Sequence, residues 1–211
     1  MLSASIEDYA KAIYVLEERH GVASTNGLAD RLGVSAPAVS AMVKKLASLG
    51  YVTHVRYRGV RLTDEGRRVA LEVLRHHRLL ETYLVEELGV PWDRVHAEAE
   101  VLEHVLSEVL EERIAAKLGE PTNDPHGDPI PALDGTVMES PTVTLATLGV
   151  GDRGHFVRVS DSNPKLLREL ADLGIRPGDE VEVIAAGVRV GAAVHRLRPA
   201  LTRSMRIEVK P

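Results

Sequence analysis

Two histidines and two carboxylates recur at helical spacing in one stretch of the chain: His96, Glu100, Glu103 and His104, at i, i+4, i+7 and i+8. At roughly 100° per residue, their side chains fall on a stripe about 80° wide that runs about 12 Å along a helix axis. Imidazole nitrogen and carboxylate oxygen converging on one face form a donor set for a divalent metal ion. His77 and Glu81 repeat the i, i+4 spacing on an earlier stretch. The chain has no cysteine, so thiolate ligands and disulfides are both excluded. Any ion must be held by oxygen and nitrogen.

The elements that position these residues follow from composition and periodicity. A length of 211 residues suits one large domain or two small ones. Hydrophobic residues make up 44% of the chain and aromatics only 3%, so the core is built mainly from Leu, Val, Ile and Ala. No apolar run approaches the roughly 20 residues that span a bilayer, and no signal-like apolar region opens the chain. The expectation is a cytoplasmic protein with no membrane partner. Net charge is −5, which alone argues against nucleic acid. Its distribution changes that: residues 1–75 carry net +3, residues 76–120 net −7 and residues 121–211 net −1. A basic head before an acidic middle fits a DNA-contacting domain joined to a cation-binding one.

Ser5-Ile6-Glu7-Asp8 resembles a helix cap with an acidic residue inside the first turn, and Ile6, Tyr9, Ala10, Ile13 and Leu16 continue at helical spacing to His20-Gly21. A second helix opens at Ser24-Thr25-Asn26. Gly33 supplies a turn, and Ser35 caps a third helix that ends at Leu49-Gly50. Residues 51–55 and 60–62 make a hairpin around Arg58-Gly59. A long helix follows from Thr63 to about Leu88, then the acidic helix from about Trp92 to Leu118, with Trp92 as a core anchor. Residues 119–141, rich in Pro, Gly, Asp and Asn, form a linker. Residues 142–211 form a small β-rich domain with strands at 157–159, 180–184 and 205–209 and one helix from about Pro164 to Leu173. The predicted division is 1–63, 64–141 and 142–211.

Two short helices about a Gly turn, then a hairpin, is the order of a winged helix-turn-helix. The third helix would enter the major groove of double-stranded DNA, leading with Ser35, Ala36, Pro37, Ala38, Ser40 and Ala41. These small residues allow close approach and contact with thymine methyls, with few bidentate base contacts. Lys44, Lys45, Arg56, Arg58 and Arg61 would grip phosphates. The alternative is a three-helix packing unit that never touches DNA.

The chain resembles the diphtheria-toxin-repressor family of metal-dependent transcriptional regulators, and within it the manganese-responsive members. The resemblance rests on Glu7-Asp8-Tyr9 with Ile13-Tyr14, Leu32-Gly33-Val34-Ser35 with Val39-Ser40, and Leu62-Thr63-x-x-Gly66. It continues through His77-Arg78-Leu79-Leu80-Glu81, His96-x-x-x-Glu100-x-x-Glu103-His104, the run Pro125 to Pro131, and Leu173 to Asp179. It implies a mainly α protein with β structure: a winged-helix domain, a helical metal-binding and dimerisation domain, and a C-terminal SH3-like domain. It also implies a homodimer, an operator DNA partner, no small-molecule substrate and no catalysis. The primary metal site would fall on Asp8, Glu100, Glu103 and His104 with His77 nearby. An ancillary site would use Glu81 and His96, with His77, Asp124, His126 and Asp161 as further candidates.

Iron-responsive members commonly carry Met where Asp8 stands and Cys where Glu100 stands. Oxygen donors at both positions suit Mn²⁺, with Fe²⁺ close behind. One manganese-responsive subgroup has a Glu where this chain has Lys11, so its binuclear arrangement does not carry over directly. Each residue also has a plain structural reading. Asp8 can cap a helix, His77 and Glu81 can be a surface pair, and Asp124, His126 and Asp161 can be ordinary loop residues. The rival functional reading is a helical dinuclear-metal enzyme, since Glu-x-x-His spacings also build such centres. Only one such spacing is present, and no nucleophile elbow, phosphate loop or triad accompanies it.

Overall fold

A computed structural model of the chain describes residues 2–161 and 163–210, which form two compact units. The first comprises Met1–His76 with Glu103–Val105 and Pro131–Thr136. The second comprises His77–Leu102, Leu106–Ile130 and Val137–Pro211.

The first unit opens with three helices, α1 (Ala4–His20), α2 (Thr25–Leu32) and α3 (Ala36–Ser48). The start of α1 differs from expectation. The Ser3 carbonyl already accepts the Ile6 N–H at 2.8 Å, so Ser3 stands at the N-cap and Ser5 lies inside the helix. The other two caps form as the sequence indicates. Ser24 accepts from the Gly27 N–H and Ser35 from the Ala38 N–H, each satisfying an N–H that has no helical partner. Ile6, Tyr9, Ile13, Leu28, Val39, Val43 and Leu46 are buried together.

Strands β1 (Val52–Val55) and β2 (Gly59–Leu62) pair antiparallel, from Val52 opposite Leu62 to Val55 opposite Gly59. Val60 also exchanges backbone hydrogen bonds with Ala23, at 2.9 and 3.0 Å. That close approach explains Gly59, where a Cβ would meet the Ala23 carbonyl oxygen at 2.0 Å and φ is +132°. This is a winged helix-turn-helix. Helix α4 (Asp64–Glu86) follows, and its residues from His77 onward belong to the second unit.

In the second unit, Leu79, Leu80, Ala99, Ile114, Ala115 and Ile130 make a helical core. The single acidic helix expected from about Trp92 to Leu118 is instead two, α5 (Val95–Leu102) and α6 (Glu108–Lys117). Ser107 causes the break. Its backbone is extended, its side chain accepts from the Leu110 N–H, and Glu108 and Glu111 lie in the first turn of α6, favoured by the helix dipole. Glu103 and His104 therefore sit in a turn, and only His96 and Glu100 share a helix.

The expected linker is also more ordered than predicted. Ile130 N–H bonds the Thr122 carbonyl at 2.8 Å. The Asp124 carboxylate accepts from the N–H groups of His126 and Asp128 at 2.8 and 3.0 Å, a side-chain-closed turn. Gly127 (φ +88°) is tightly packed, since a Cβ there would lie 1.8 Å from the Val157 carbonyl oxygen.

The remainder of the second unit is β3 (Val143–Thr144), β4 (Arg153–Val159), α7 (Pro164–Asp172), β5 (Glu180–Ile184), β6 (Gly187–Val190), β7 (Ala193–His195), α8 (Pro199–Ser204) and β8 (Met205–Val209). The strands form one antiparallel sheet in the order β3-β8-β4-β5-β6-β7. Phe156, Leu167, Leu170, Ile175, Val181, Met205 and Ile207 fill its core, and Trp92 joins them. No helix among the described residues is long and apolar enough to cross a membrane.

Candidate metal centres

The first cluster lies within the first unit. Helix α1 presents Glu7, Asp8 and Lys11, and the turn after α5 presents Glu103 and His104. His104 has a carboxylate on each ring nitrogen: Nδ1 is 2.6 Å from Glu7 Oε2, and Nε2 is 2.9 Å from Asp8 Oδ1. Glu103 is buried, 3.6 Å from His104 Nε2, and accepts a 2.6 Å hydrogen bond from the Lys11 ammonium. His76 Nδ1 lies 3.2 Å from the Glu103 carbonyl. Donor atoms of Asp8, Glu103 and His104 all lie within 4.8 Å of one another. A carboxylate on one ring nitrogen is the arrangement that orients a metal-binding histidine, and here Glu7 stands on Nδ1. Glu7 was not among the expected site residues. Only its place beside Asp8 marks it in the sequence, because its partner stands 97 positions away.

The second cluster lies within the second unit and centres on Glu81, which is fully buried. Its Oε1 is 3.1 Å from His77 Nε2 and 3.2 Å from His96 Nδ1, and those two nitrogens are 3.0 Å apart. His96 Nδ1 also lies 3.1 Å from Asp161 Oδ2. Glu100 stands at the edge, 3.6 Å from His96 Nε2 and 4.0 Å from His77 Nδ1. On the other side, Glu81 Oε2 is 3.5 Å from His126 Nδ1, and both atoms are buried without a hydrogen-bond partner. Donor atoms of Glu81, Asp124 and His126 lie within 4.8 Å of one another, as do those of His77, Glu81, His96 and Asp161.

Several residues outside the expected donor set hold this cluster in shape. His126 Nε2 donates to the Trp92 carbonyl at 2.8 Å, and its ring stacks on the Trp92 indole, over which the Arg176 guanidinium lies. Arg78 donates to the Pro129 carbonyl and sits 3.8 Å from Asp124.

The electrostatics show how much charge is packed here. Burial drives the Glu81 carboxyl up, but His126, His77 and His96 around it reverse this and hold it well below the usual carboxylate range. Burial opposes charge on His96 and His126, yet Asp161 and Glu81 raise His96 to about 10, and Glu81 with Asp124 raises His126 to about 9. Burial, reinforced by Asp128 and Glu81, pushes Asp124 well above its ordinary value. Without a metal ion, protons on the histidines balance the carboxylates.

The residues expected to contact DNA fall mostly on exposed surface. Ser35, Pro37, Ala38, Ser40, Ala41, Lys44 and Lys45 are exposed and Ala36 is half-buried on α3 or its cap, while Arg56, Arg58 and Arg61 are exposed on the wing. Arg61 Nε is tied to the Gly21 carbonyl at 2.7 Å. Tyr57, not anticipated, is 90% exposed at the wing tip with φ +61°, and the Arg56 guanidinium lies over its ring.

Comparison with known proteins decides the family. Residues 1–60 match the model of the iron-dependent repressor N-terminal DNA-binding domain, residues 63–132 its metal-binding and dimerisation domain, and residues 143–209 the FeoA domain. The chain is 36% identical to the iron-dependent repressor IdeR of Mycobacterium leprae (strain TN) over 190 residues, 84% of this chain and 82% of that one. It belongs to the iron-dependent repressor family. It is also 34% identical to the diphtheria toxin repressor of Corynebacterium diphtheriae, covering 84% of this chain and 83% of that one. A solved manganese-dependent transcriptional repressor in complex with manganese matches with a TM-score of 0.87 and 43% identity over 97% of this chain and all of that one.

Members of the family are metal-dependent, DNA-binding transcriptional regulators, not enzymes, which sets aside the dinuclear-enzyme alternative. The donors present fit Mn²⁺ or Fe²⁺: both clusters offer only carboxylate oxygen and imidazole nitrogen, and the second contains buried donor atoms with no other partner.

Proposed function

We propose that this protein is a manganese-responsive homodimeric repressor that closes an operator when the ion is plentiful, at genes for metal uptake in the cytoplasm. Fe²⁺ is the second physiological candidate. Asp8, Glu103 and His104 are the proposed ligands in the first cluster, with Glu7 orienting His104. His77, Glu81, His96, Glu100, Asp124, His126 and Asp161 are the proposed ligands in the second. The proposed working division of the chain is a DNA reader over 1–63, a metal and dimerisation segment over 64–141, and an SH3-like domain over 142–211.

The observation that carries the reading is Asp8 on the first helix of the DNA reader, 2.9 Å from His104 in the turn between α5 and α6. A divalent cation there supplies the positive charge that lets Asp8 and Glu103 face each other. These residues then fix the turn against α1, and through α1 they set the orientation of α3. In a dimer, two α3 helices meet major grooves about 34 Å apart, or a multiple of that. Segment 101–110 carries exposed Val101, Leu102, Val105, Val109 and Leu110, apolar surface that suits a subunit contact. Metal and DNA must then strengthen each other by the same factor. Fluorescence anisotropy on operator DNA, with Mn²⁺ and then with chelator, tests this; equal affinity in both conditions would overturn it.

A further inference from the structure

The wing is a two-stranded sheet, so β2 has one edge that β1 leaves unpaired. Backbone groups on that edge recur at every second residue. The Val60 N–H finds the Ala23 carbonyl at 2.9 Å, and the Val60 carbonyl accepts from Ala23 at 3.0 Å in return. Two residues on, the neighbour is helix α1 rather than a strand, and a side chain completes the edge instead. The half-buried Glu17 carboxylate accepts the Leu62 N–H at 3.0 Å. Arg61 makes a tie in the opposite sense. Its Nε–H donates to the carbonyl of Gly21, the left-handed C-cap of α1, at 2.7 Å. A guanidinium there also meets the negative end of the helix dipole. One side chain thus runs from α1 to the wing and another from the wing to α1, at adjacent positions of β2. The other end of α1 carries Glu7 and Asp8, and its middle is buried through Tyr9 and Ile13 in the same core as Val39, Val43 and Val60. Asp8 and Glu17 stand about 13 Å apart along the axis of this one unbroken helix.

We infer that Arg61 and Glu17 are positioning residues that strut the wing to α1, so that an ion held at the N-terminal end of α1 sets the wing as well as α3, and that Arg61 does not grip phosphate. This rests on the metal-responsive reading above and adds the wing to what the ion positions. A bidentate grip on phosphate uses two parallel N–H groups of the guanidinium fork. In Arg61 the edge that contains Nε is taken by Gly21. The wing and α1 then turn as one body, and the phosphate contacts of the wing fall to Arg56 and Arg58.

The test uses the full-length protein and a fluorescein-labelled duplex that the wild type selects, with Mn²⁺, from a random-sequence pool. Anisotropy titrations are run with Mn²⁺ and with chelator at several salt concentrations, and circular dichroism checks the fold of each variant. Each phosphate contact contributes about 0.9 to the slope of log affinity against log salt. Arg58→Ala should therefore lower the slope by about one, whereas Arg61→Ala should leave it unchanged. Arg61→Ala and Glu17→Ala should each cut the Mn²⁺-dependent gain in affinity several-fold, with the number of bound Mn²⁺ ions unchanged. Glu17→Gln keeps an oxygen acceptor for the Leu62 N–H and should restore most of the gain. Without DNA, Mn²⁺ should slow amide exchange in segment 52–62 of the wild type and not of Arg61→Ala. A slope that falls by about one in Arg61→Ala, or a full Mn²⁺-dependent gain in either alanine variant, would overturn the strut. Equal losses in Glu17→Gln and Glu17→Ala would overturn it too, since the charge rather than the tie would then matter. Wild-type affinity indifferent to Mn²⁺ would overturn the metal-responsive reading itself, and the salt slope of Arg61→Ala would still decide whether Arg61 grips phosphate.

Discussion

The two clusters offer the same donor types but close their charge differently. In the first, a fixed ammonium does part of the work: Lys11 donates to Glu103 at 2.6 Å, and both side chains are shielded from water. In the second, the nearest guanidinium, Arg78, stands 3.8 Å from Asp124, and buried Glu81 and His126 atoms face each other without hydrogen-bond partners. The first cluster is part-neutralised before any ion arrives. The second depends on protons or ions for its order. A tethered cation lowers the charge that an ion would have to neutralise, whereas the second cluster leaves that charge to protons or to a bound ion.

The largest expected effect comes from removing the tethered charge. Lys11→Met removes the ammonium that donates to buried Glu103, and breaking such a pair costs about 3–5 kcal/mol. Urea unfolding of the metal-free variant should show that loss, and saturating Mn²⁺ should recover much of it, because an ion takes over the charge of the ammonium. Equal stability of wild type and variant without metal would erase the contrast between the clusters. Lys11→Glu sharpens it further, since an added carboxylate should raise the number of Mn²⁺ ions held by this cluster.

Next in size is the coupling to DNA. Asp8→Ala should abolish the Mn²⁺-dependent gain in operator affinity, a factor of about 5–150 if the coupling is typical. Asp161→Asn, in the second cluster, should lower Mn²⁺ binding with a smaller effect on the operator. Anisotropy titrations of both variants compare them directly. A larger loss in Asp161→Asn would reverse the assignment of the DNA-coupled role.

Proton release offers a finer discriminator. In the metal-free protein His96 keeps its proton to about 10 and His126 to about 9, against 6.5 for a free histidine. Because both are raised, their contribution to metal-free stability is fully present below about pH 6.5. It fades as pH climbs through about 9 and then about 10. Metal ligation needs both rings bare, so Mn²⁺ affinity should rise with pH across the same window. At pH 7.5, filling the second cluster should release about two protons. Calorimetry in buffers of different ionisation enthalpy counts them, and the count should fall in His126→Gln.

Much of this was legible in the residues. Ser24, Ser35 and Gly33 mark the helix ends of the reader, and the donor types of both clusters stand in the chain as His77, Glu81, His96, Glu103 and His104. Three things were not legible, for physical reasons. The partnership of Glu7 with His104 spans 97 positions, and no local pattern encodes it. Strands β6 and β7 are too short, at four and three residues, for alternation to stand out. Residues 119–141 looked like a linker because Pro and Gly also serve tight turns. Here Gly127 lies against β4, while Asp124 closes the loop that buries His126.

The helix break after Leu102 was the misreading with most consequence, and it yields the smallest prediction. A periodic apolar and acidic pattern through residues 92–118 argued for one helix, yet Ser107 followed by Glu108 and Glu111 is a helix start in its own right. The break frees Glu103 and His104 from a helical stripe and lets the turn present both to Asp8. Ser107→Ala removes the acceptor for the Leu110 N–H, a loss of about 1 kcal/mol. The competing single helix, which would place Glu103 and His104 back in line with Glu100, becomes correspondingly less unfavourable. Mn²⁺ affinity of the first cluster should therefore drop several-fold while the second cluster, built on α4, the start of α5 and the loop at 122–130, keeps its own. Elemental analysis at limiting Mn²⁺ with the Asp8→Ala and Glu81→Gln variants as references separates the two losses, and an equal drop in both clusters would mean that Ser107 supports the second unit as a whole rather than the turn.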